Sequence, residues 1–220
     1  LVSKRKRASN QAPHSPTPTI SQVIFPLLSG DTAMYYDSEA RAANTSDPGL
    51  PFNPFKALVA PRPIGWVTTL TESGMVNLAP YSYFQAVADN PDIVMFSAAS
   101  ELEVHNGAIS FGKGRKHSEN NAVASGEFVC NLVTFELREG MNLTSAHLPD
   151  DESEVAHAGL EMAPSRRVKP PRVARAPAAL ECVVVDSHPV RHRGGDHLFH
   201  LVFGEVLGVH IDDAFIKDGR

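Results

Sequence analysis

Apolar residues along this chain fall in short runs rich in β-branched side chains, and turn-forming residues separate the runs. Runs of this kind are typical of β-strands. They predict strands at residues 64–70, 75–79, 93–97, 127–133, 179–185 and 197–210. Because the helical patterns between them are few and short, we expect a mainly β fold that closes as a barrel.

The segments between the runs carry turn and helix signals. Thr71–Gly74 has the composition of a turn, and Gly204 inside the last run indicates a bulge. Helical patterns at residues 118–125 and 136–144 predict two short helices, the first of which ends at Gly126.

The stretch from Pro61 to Ser97 is the candidate for chemistry, because a segment dense in hydroxyls and aromatic rings joins its strands. That segment, Asn77–Phe84, has the sequence N-L-A-P-Y-S-Y-F and is poor in charge. Its hydroxyls and backbone N–H groups suit an anion, and its apolar side chains suit a flat ring. We therefore expect a polar loop that binds an anionic ring cofactor.

By composition, the chain divides into a tail and one domain. Residues 1–33 combine the basic cluster Lys4–Arg7 with prolines, serines and threonines, which predicts a disordered tail. The cluster is interpreted as solvated charge, with a nuclear signal or part of a transit peptide as alternatives. Residues 34–220 are expected to form one domain, since a chain that is 42% hydrophobic can bury one sizeable core.

Composition and charge narrow the function classes. A net charge of −5, with no basic stripe outside the tail, argues against a nucleic-acid partner. No apolar run approaches the roughly 20 residues that span a bilayer, so no membrane partner is expected and the cytoplasm is the default localisation. Cys130 and Cys182 lie in apolar runs and are predicted to be buried free thiols, with a disulfide between them as the alternative. The Pro- and Arg-rich stretch 164–177 is predicted to be a solvated loop, with contact to a cofactor phosphate or a partner subunit as the alternative.

Motifs for other chemistries are missing from the sequence. The ten histidines do not show the spacing of metal ligands, so no metal site is predicted. No G-x-S-x-G motif supports a hydrolase, and no G-x-G-x-x-G motif supports a Rossmann-type nicotinamide site.

Several motifs occur in an order that resembles one known family. They are P-R-P-I-G-W-V-T-T, G-M-V-N-L-A-P-Y-S-Y-F, N-P-D-I-V-M-F-S, G-R-K-H-S, G-E-F-V-C-N-L and F-G-E-V-L-G-V-H-I-D-D. Together they span nearly all of residues 34–220 and resemble the flavin reductase-like proteins. The resemblance implies an FMN-binding split β-barrel with Greek-key-like topology and a few short helices. It also implies a homodimer with FMN near the subunit interface.

The same resemblance implies which residues hold the flavin. The family's flavin contacts would fall on Trp66, Val67, Thr68, Thr69, Asn77, Leu78, Ala79, Ser82, Tyr83, Ser97, Arg115, Lys116 and Ser118. The chemistry of these residues agrees, because hydroxyls, N–H groups and cations suit a phosphate. Trp66 also suits a core position, which is the commoner role of a tryptophan.

The activity implied by the resemblance is hydride transfer from NADH or NADPH to FMN, and a bound acceptor or a partner monooxygenase would use the reduced flavin. The G-D-H motif ending at His197 resembles a family motif whose histidine lies beside flavin and nicotinamide. A histidine at the end of a hairpin is the equal alternative.

Three departures from the family pattern motivate a second hypothesis. His117 stands where relatives commonly have Asp, and residues 101–111 look like an insertion, either a surface loop or retained non-coding sequence. The chain also ends at Arg220, where relatives run on, so the domain is expected to be C-terminally short. The alternative is a non-catalytic or degenerate FMN-binding split barrel.

Overall fold

The computed structural model describes residues 35–43, 49–105, 108–146, 148, 152–193 and 195–219. The chain divides into two compact units, residues 1–56 and 57–220. In the first unit, helix α1 (Ser38–Ala43) begins after Asp37, whose Oδ1 accepts hydrogen bonds from the N–H groups of Glu39 and Ala40, each at 2.9 Å. The predicted tail, residues 1–33, lies outside the described residues.

Strands dominate the second unit. They are β1 (Gly65–Leu70), β2 (Val76–Tyr81), β3 (Phe84–Asp89), β4 (Asp92–His105), β5 (Ala108–Arg115), β6 (Glu127–Asn131), β7 (Met162–Ala163), β8 (Arg172–Val173), β9 (Ala178–His192) and β10 (Gly195–Ile211). The remaining helices are α2 (Phe55–Leu58), α3 (His117–Ser125), α4 (Arg138–Leu143) and α5 (Glu154–His157), with 3₁₀ turns at Phe135–Leu137 and Asp213–Phe215. The fold is therefore mainly β with a few short helices, as the sequence predicts.

The strands form one antiparallel sheet in the order β2-β1-β6-β9-β10-β4-β3, with β5 paired to β4, and β7 and β8 form a separate pair. Strands β1–β2, β3–β4 and β9–β10 are consecutive hairpins. Strand β6 instead follows β5 and α3 in the chain, yet pairs with β1 and β9. This crossover over the sheet carries α3 onto β1, β2 and β10, where the candidate site lies.

Two apolar clusters cover opposite sides of β1. Val67 belongs to a cluster with Phe96, Phe128 and Cys182, contributed by β4, β6 and β9. Its neighbour Trp66 belongs to the second cluster, which lies beneath α4 and the 3₁₀ turn before it. Because successive strand residues point to opposite faces, β1 is buried on both sides.

The prediction of a polar loop at residues 77–84 is wrong, because most of this segment is β-strand. Every residue of β2 up to Tyr81 pairs with β1, and β3 begins at Phe84, so only Ser82 and Tyr83 form a bend. Continuous pairing with a neighbouring strand outweighs the turn-forming composition of this segment.

The segment that resembles an insertion is a β-hairpin rather than a loop. Strand β4 continues to His105, and β5 returns from Ala108, with Ser100 paired to Arg115. The predicted turn at residues 191–196 is likewise shorter, because β9 extends to His192 and β10 begins at Gly195. Hairpin pairing lets both segments satisfy their backbone hydrogen bonds locally.

Other local predictions are confirmed. Gly126 ends α3 in the left-handed region (φ 73°), and its N–H donates to the Ala122 carbonyl at 2.8 Å. A register shift in the β9–β10 ladder lies between Phe203 and Gly204, where a bulge was expected. Cys130 and Cys182 are buried free thiols. In the described part of the chain, every helix is too short or too polar to cross a membrane.

Candidate functional site

A buried polar cluster joins strand β2 to the beginning of helix α3. The Asn77 side chain donates a hydrogen bond from Nδ2 to the Ser118 Oγ at 2.8 Å, and both residues are buried. The hydroxyl of Tyr81 also contacts Ser118, and burial raises the pKa of Tyr81 to about 12. Two predicted site residues that lie 41 positions apart in sequence are therefore in direct contact.

The N-terminus of α3 has the geometry of an anion site. Lys116 precedes the helix in an extended conformation (φ −63°, ψ 149°), and its carbonyl accepts from the N–H groups of Glu119 and Asn120, each at 3.0 Å. The N–H groups of the first positions of an α-helix have no acceptor within the helix, and the helix dipole adds positive potential there. Arg115 and Lys116 bring two cations to the same end, so a phosphate would find both donors and charge.

Glu119 lies directly behind this helix end and is fully buried. Its Oε1 is 3.3 Å from the Arg115 Nε and 3.5 Å from the Nδ1 of His200, which is also buried. Neither carboxylate oxygen has a hydrogen-bond partner within the described residues. Burial raises the pKa of Glu119 to about 7, against the opposing effect of Arg115. Glu119 therefore titrates near neutral pH, beside a cation predicted to bind the cofactor.

The bend after β2 forms a second part of the predicted site. The Tyr83 carbonyl accepts a hydrogen bond from the Ser97 N–H at 2.8 Å, and the Tyr83 ring lies 6.0 Å from that of Phe199. Ser82, Tyr83 and Ser97 are each half-buried. Strand β4 connects this bend to the cationic end of α3, because Ser100, three residues after Ser97, pairs with Arg115. At about 3.3 Å per residue, the two parts are on the order of 10 Å apart.

The remaining predicted contacts lie mostly inside the protein. Trp66, Val67, Thr68, Thr69 and Leu78 are fully buried, and Ala79 is half-buried. Trp66 Nε1 donates to the Thr144 Oγ1 at 2.8 Å, and Asn131 Nδ2 donates to the Thr68 Oγ1 at 2.8 Å. These side chains bond to internal partners, so they support the site from beneath it. Trp66 has the core position that its commoner role favours.

His197 lies in β10, but its side chain is outside the described part of the structure, so its role stays a prediction. Sequence reasoning missed Glu119 and His200. The spacing of Arg115 and Glu119 at i,i+4 is the one sequence signal that pointed to their pairing. Among the described residues, no group of three or more His, Cys, Asp or Glu side chains is arranged to hold a metal ion.

A cavity of about 170 Å³ lies beside the start of α3. It is lined by Thr71, Met75, Val76, Asn77, His117, Asn121, Glu152 and Glu154. A second cavity of about 160 Å³ lies between Ile64, Phe84 and the residues around Cys130 and Ala179. Both are smaller than the roughly 300–1,000 Å³ usual for small-molecule sites, so neither encloses a complete flavin within one chain.

Comparison with known proteins identifies relatives across the second unit. The family model described as "Flavin reductase like domain" matches residues 58–218. An uncharacterized protein of Aquifex aeolicus (strain VF5) is 33% identical over 161 residues, which are 73% of this chain and 74% of that protein.

Solved structures show the same fold. Nitrilotriacetate monooxygenase component B from Bacillus cereus is 31% identical, with a TM-score of 0.67 over 80% of this chain and 87% of its own. A flavin reductase with a split barrel domain from Shewanella frigidimarina NCIMB 400 is 19% identical, with a TM-score of 0.66 over 84% of each chain. This second likeness shows the fold alone, which is the predicted split barrel.

Proposed function

The family model of the flavin reductase-like domain matches residues 58–218, so the chain belongs to that family. We propose that it is an FMN-dependent oxidoreductase. In this proposal, a hydride passes from NADH or NADPH to FMN. The observation that carries it is the convergence of Asn77, Ser118, Arg115 and Lys116 at the N-terminus of α3. These residues are among the positions on which the family's flavin contacts fall.

The donor set at α3 fits a phosphate monoester. Such a group carries a charge of about −1.5 to −2 at pH 7 and offers three acceptor oxygens. Helix N–H groups and two cations are the complementary donors, and the buried Ser118 hydroxyl, which bonds to Asn77 and Tyr81, supports this helix end from beneath. The extended backbone of Lys116 presents this end of the helix, and the hairpin before it keeps Arg115 paired to Ser100. The unusual segment at residues 101–111 therefore leaves the phosphate-binding motif in regular secondary structure.

The remaining residues would bind and orient the ring. When bound, FMN supplies the redox chemistry, so the protein needs no nucleophile. The bend at Ser82 and Tyr83, with Ser97 beside it, offers hydroxyls, backbone groups and an aromatic ring on the surface of the barrel. We infer that this bend lies along the isoalloxazine and that His197 orients the nicotinamide.

We infer further that the complete flavin site forms in a homodimer. Each of the two cavities found among the described residues is too small for a complete flavin. The single chain also exposes large apolar side chains, among them Leu132, Phe135 and Val209 at 53%, 73% and 54%. A second copy would cover apolar surface of this kind and add a wall to the site. Bacillus cereus component B is by its name part of a monooxygenase, which favours a monooxygenase as the user of the reduced flavin.

The purified protein is expected to turn yellow with FMN and to lose that colour when NADH or NADPH is added without oxygen. Absorbance at the flavin band measures both steps, and gel filtration measures the dimer. If the yellow protein keeps its colour with both nucleotides, the alternative of a non-catalytic FMN-binding barrel is correct. His117, which lines the acidic cavity beside α3 in place of the family's Asp, is the observation that favours this alternative. A protein that takes up no FMN contradicts both functions.

Replacing Lys116 with Gln is expected to weaken FMN binding about tenfold, because an ammonium–phosphate contact is worth about 1.5 kcal/mol. Quenching of flavin fluorescence gives the dissociation constant. Lys169→Gln is the matched control, since Lys169 is exposed in the Pro- and Arg-rich segment. Equal losses in the two variants would show that net charge, rather than the α3 site, attracts the flavin.

A further inference from the structure

Glu119 is a fully buried charged group at the proposed phosphate site, and the proposed function leaves its role open. Its side chain is fully buried, whereas the side chain of Arg115, the nearest cation, is 44% exposed. The exposed part of the guanidinium is therefore available to a ligand, while its Nε lies 3.3 Å from the carboxylate. One cation thus has two possible anionic partners, the buried carboxylate and an incoming phosphate.

Within the described part of the chain, groups from several strands lie around Glu119 and the rest of α3. Arg115 ends β5, His200 comes from β10, and Tyr81, which interacts with both Glu119 and Glu154, comes from β2. Strands β6 and β9 present Phe128 and the thiols of Cys130 and Cys182, and β1 presents Thr69, whose Oγ1 accepts from Asn121. Arg115 favours the ionised form of Glu119, against the effect of burial.

A phosphate that reaches Arg115 brings a second negative charge close to the buried carboxylate. Two like charges that share one cation in a low-dielectric region repel each other, which favours the neutral form of the group that can take up a proton. By linkage, whatever neutralises Glu119 must also strengthen phosphate binding. Within the described residues, Arg115 contacts Glu119 as an ion pair, and neither Glu119 oxygen accepts a hydrogen bond that would hold the carboxylate ionised.

We propose that Glu119 competes with the FMN phosphate for Arg115, so that FMN binding is coupled to uptake of a proton by Glu119. This proposal rests on the proposed FMN-binding function. It makes Glu119 a positioning residue that acts through Arg115, and it makes FMN affinity depend on pH in the neutral range. The expected direction of the effect is that the ionised Glu119 carboxylate weakens FMN binding and the protonated carboxyl permits it.

The test compares wild type with Glu119→Gln, which has the shape of the protonated form. At pH 8 the variant is expected to bind FMN roughly tenfold more tightly, and below pH 6 the two proteins are expected to agree within about twofold. The phosphate of FMN titrates in both proteins alike, so the ratio of the two dissociation constants isolates Glu119. Riboflavin, which lacks the phosphate, should bind both proteins equally at every pH.

Calorimetry on the wild-type protein provides a measurement that needs no variant. At pH 7.5 a phosphate monoester is already mostly dianionic. Titration with FMN in buffers of different ionisation enthalpy should therefore show net proton uptake, and riboflavin should show none. In an Arg115→Gln background, Glu119→Gln should no longer strengthen FMN binding, because the shared cation is gone.

Several results would overturn the proposal. A Glu119→Gln variant that binds FMN more weakly at pH 8 would show that the carboxylate orients Arg115 toward the phosphate. A ratio that stays constant from pH 5.5 to 8.5, or FMN binding without proton uptake, would show that Glu119 is not coupled to the ligand. Wild type that binds no FMN would instead refute the proposed function, and this proposal with it.

Discussion

Replacing Gly204 with Ala is expected to lower the free energy of unfolding by about 3 kcal/mol. Gly204 lies in β10, and a Cβ at this position would overlap the ring of Phe128 and lie 3.1 Å from the Cβ of Cys182. Phe128 is fully buried and packs edge-on against Phe96, with ring centroids 5.4 Å apart. An added Cβ would therefore have to displace a fully buried ring. Denaturant unfolding followed by the fluorescence of Trp66, the single tryptophan, gives the difference.

The control for this substitution lies four residues along the same strand. A Cβ at Gly208 would lie 3.8 Å from the Arg167 Cγ, which is ordinary van der Waals contact. Gly208→Ala is therefore expected to change stability by no more than about 0.5 kcal/mol. Combining Gly204→Ala with Phe128→Leu should recover at least about 1 kcal/mol relative to the sum of the single losses. Equal losses at the two glycines would contradict a steric origin.

The sequence predicted a bulge at Gly204, but not the reason that this position requires glycine. A glycine inside a long apolar run indicates a bulge, and the ladder does shift register between Phe203 and Gly204. The reason for the glycine is the ring of Phe128, which lies 76 positions earlier in sequence. A pattern along one strand carries no information about which side chain of another strand lies over it.

The candidate site shows the same division between local and tertiary information. The motif Arg115–Ser118 and its glycine-terminated helix are local features, and the structure has both. The contact of Asn77 with Ser118 depends on the crossover that carries α3 onto β2, and only the resemblance to a family grouped the two residues. Glu119 was missed because a carboxylate on a short helix is ordinarily at the surface.

Errors in the strand boundaries have a common physical cause. Asn77 and Pro80 favour a turn when they are considered alone, and residues 101–111 look like a polar loop. In both segments an adjacent strand supplies hydrogen-bond partners along most of the length, so the backbone stays extended. The stabilisation from strand pairing depends on a neighbouring strand, so it cannot be predicted from the composition of the segment alone.

Glu181→Gln is expected to cost about 3 kcal/mol of folding free energy, because it disturbs a buried carboxylate that holds a whole segment. Glu181 lies in β9 and is 1% exposed. Its Oε1 accepts a hydrogen bond from the Arg166 N–H at 2.8 Å and also contacts the His210 ring. Its Oε2 accepts from the N–H groups of Arg167, at 2.5 Å, and Val168, at 3.3 Å. The Gln variant keeps one acceptor oxygen and turns the other position into a donor that faces backbone N–H groups. Thermal or denaturant unfolding measures the loss.

The pH dependence distinguishes this carboxylate from an ordinary polar contact. Burial raises the pKa of Glu181, but the hydrogen bonds from Arg166, His210 and Arg167 outweigh it and hold that pKa below its usual 4.5. A folded-state pKa below the unfolded value means that the stabilisation is complete above the unfolded pKa and is lost as the pH falls through the folded one. The difference in unfolding free energy between wild type and Glu181→Gln should therefore be full at pH 7 and shrink below pH 4.5.

Glu127→Gln is the matched control. The Glu127 Oε2 accepts a single N–H, from Lys169 of the same segment, at 2.9 Å in an exposed position. This substitution should therefore cost less than about 1 kcal/mol. A loss at Glu181 that matches this control, or that persists unchanged at pH 3, would show that the buried carboxylate does not hold the segment.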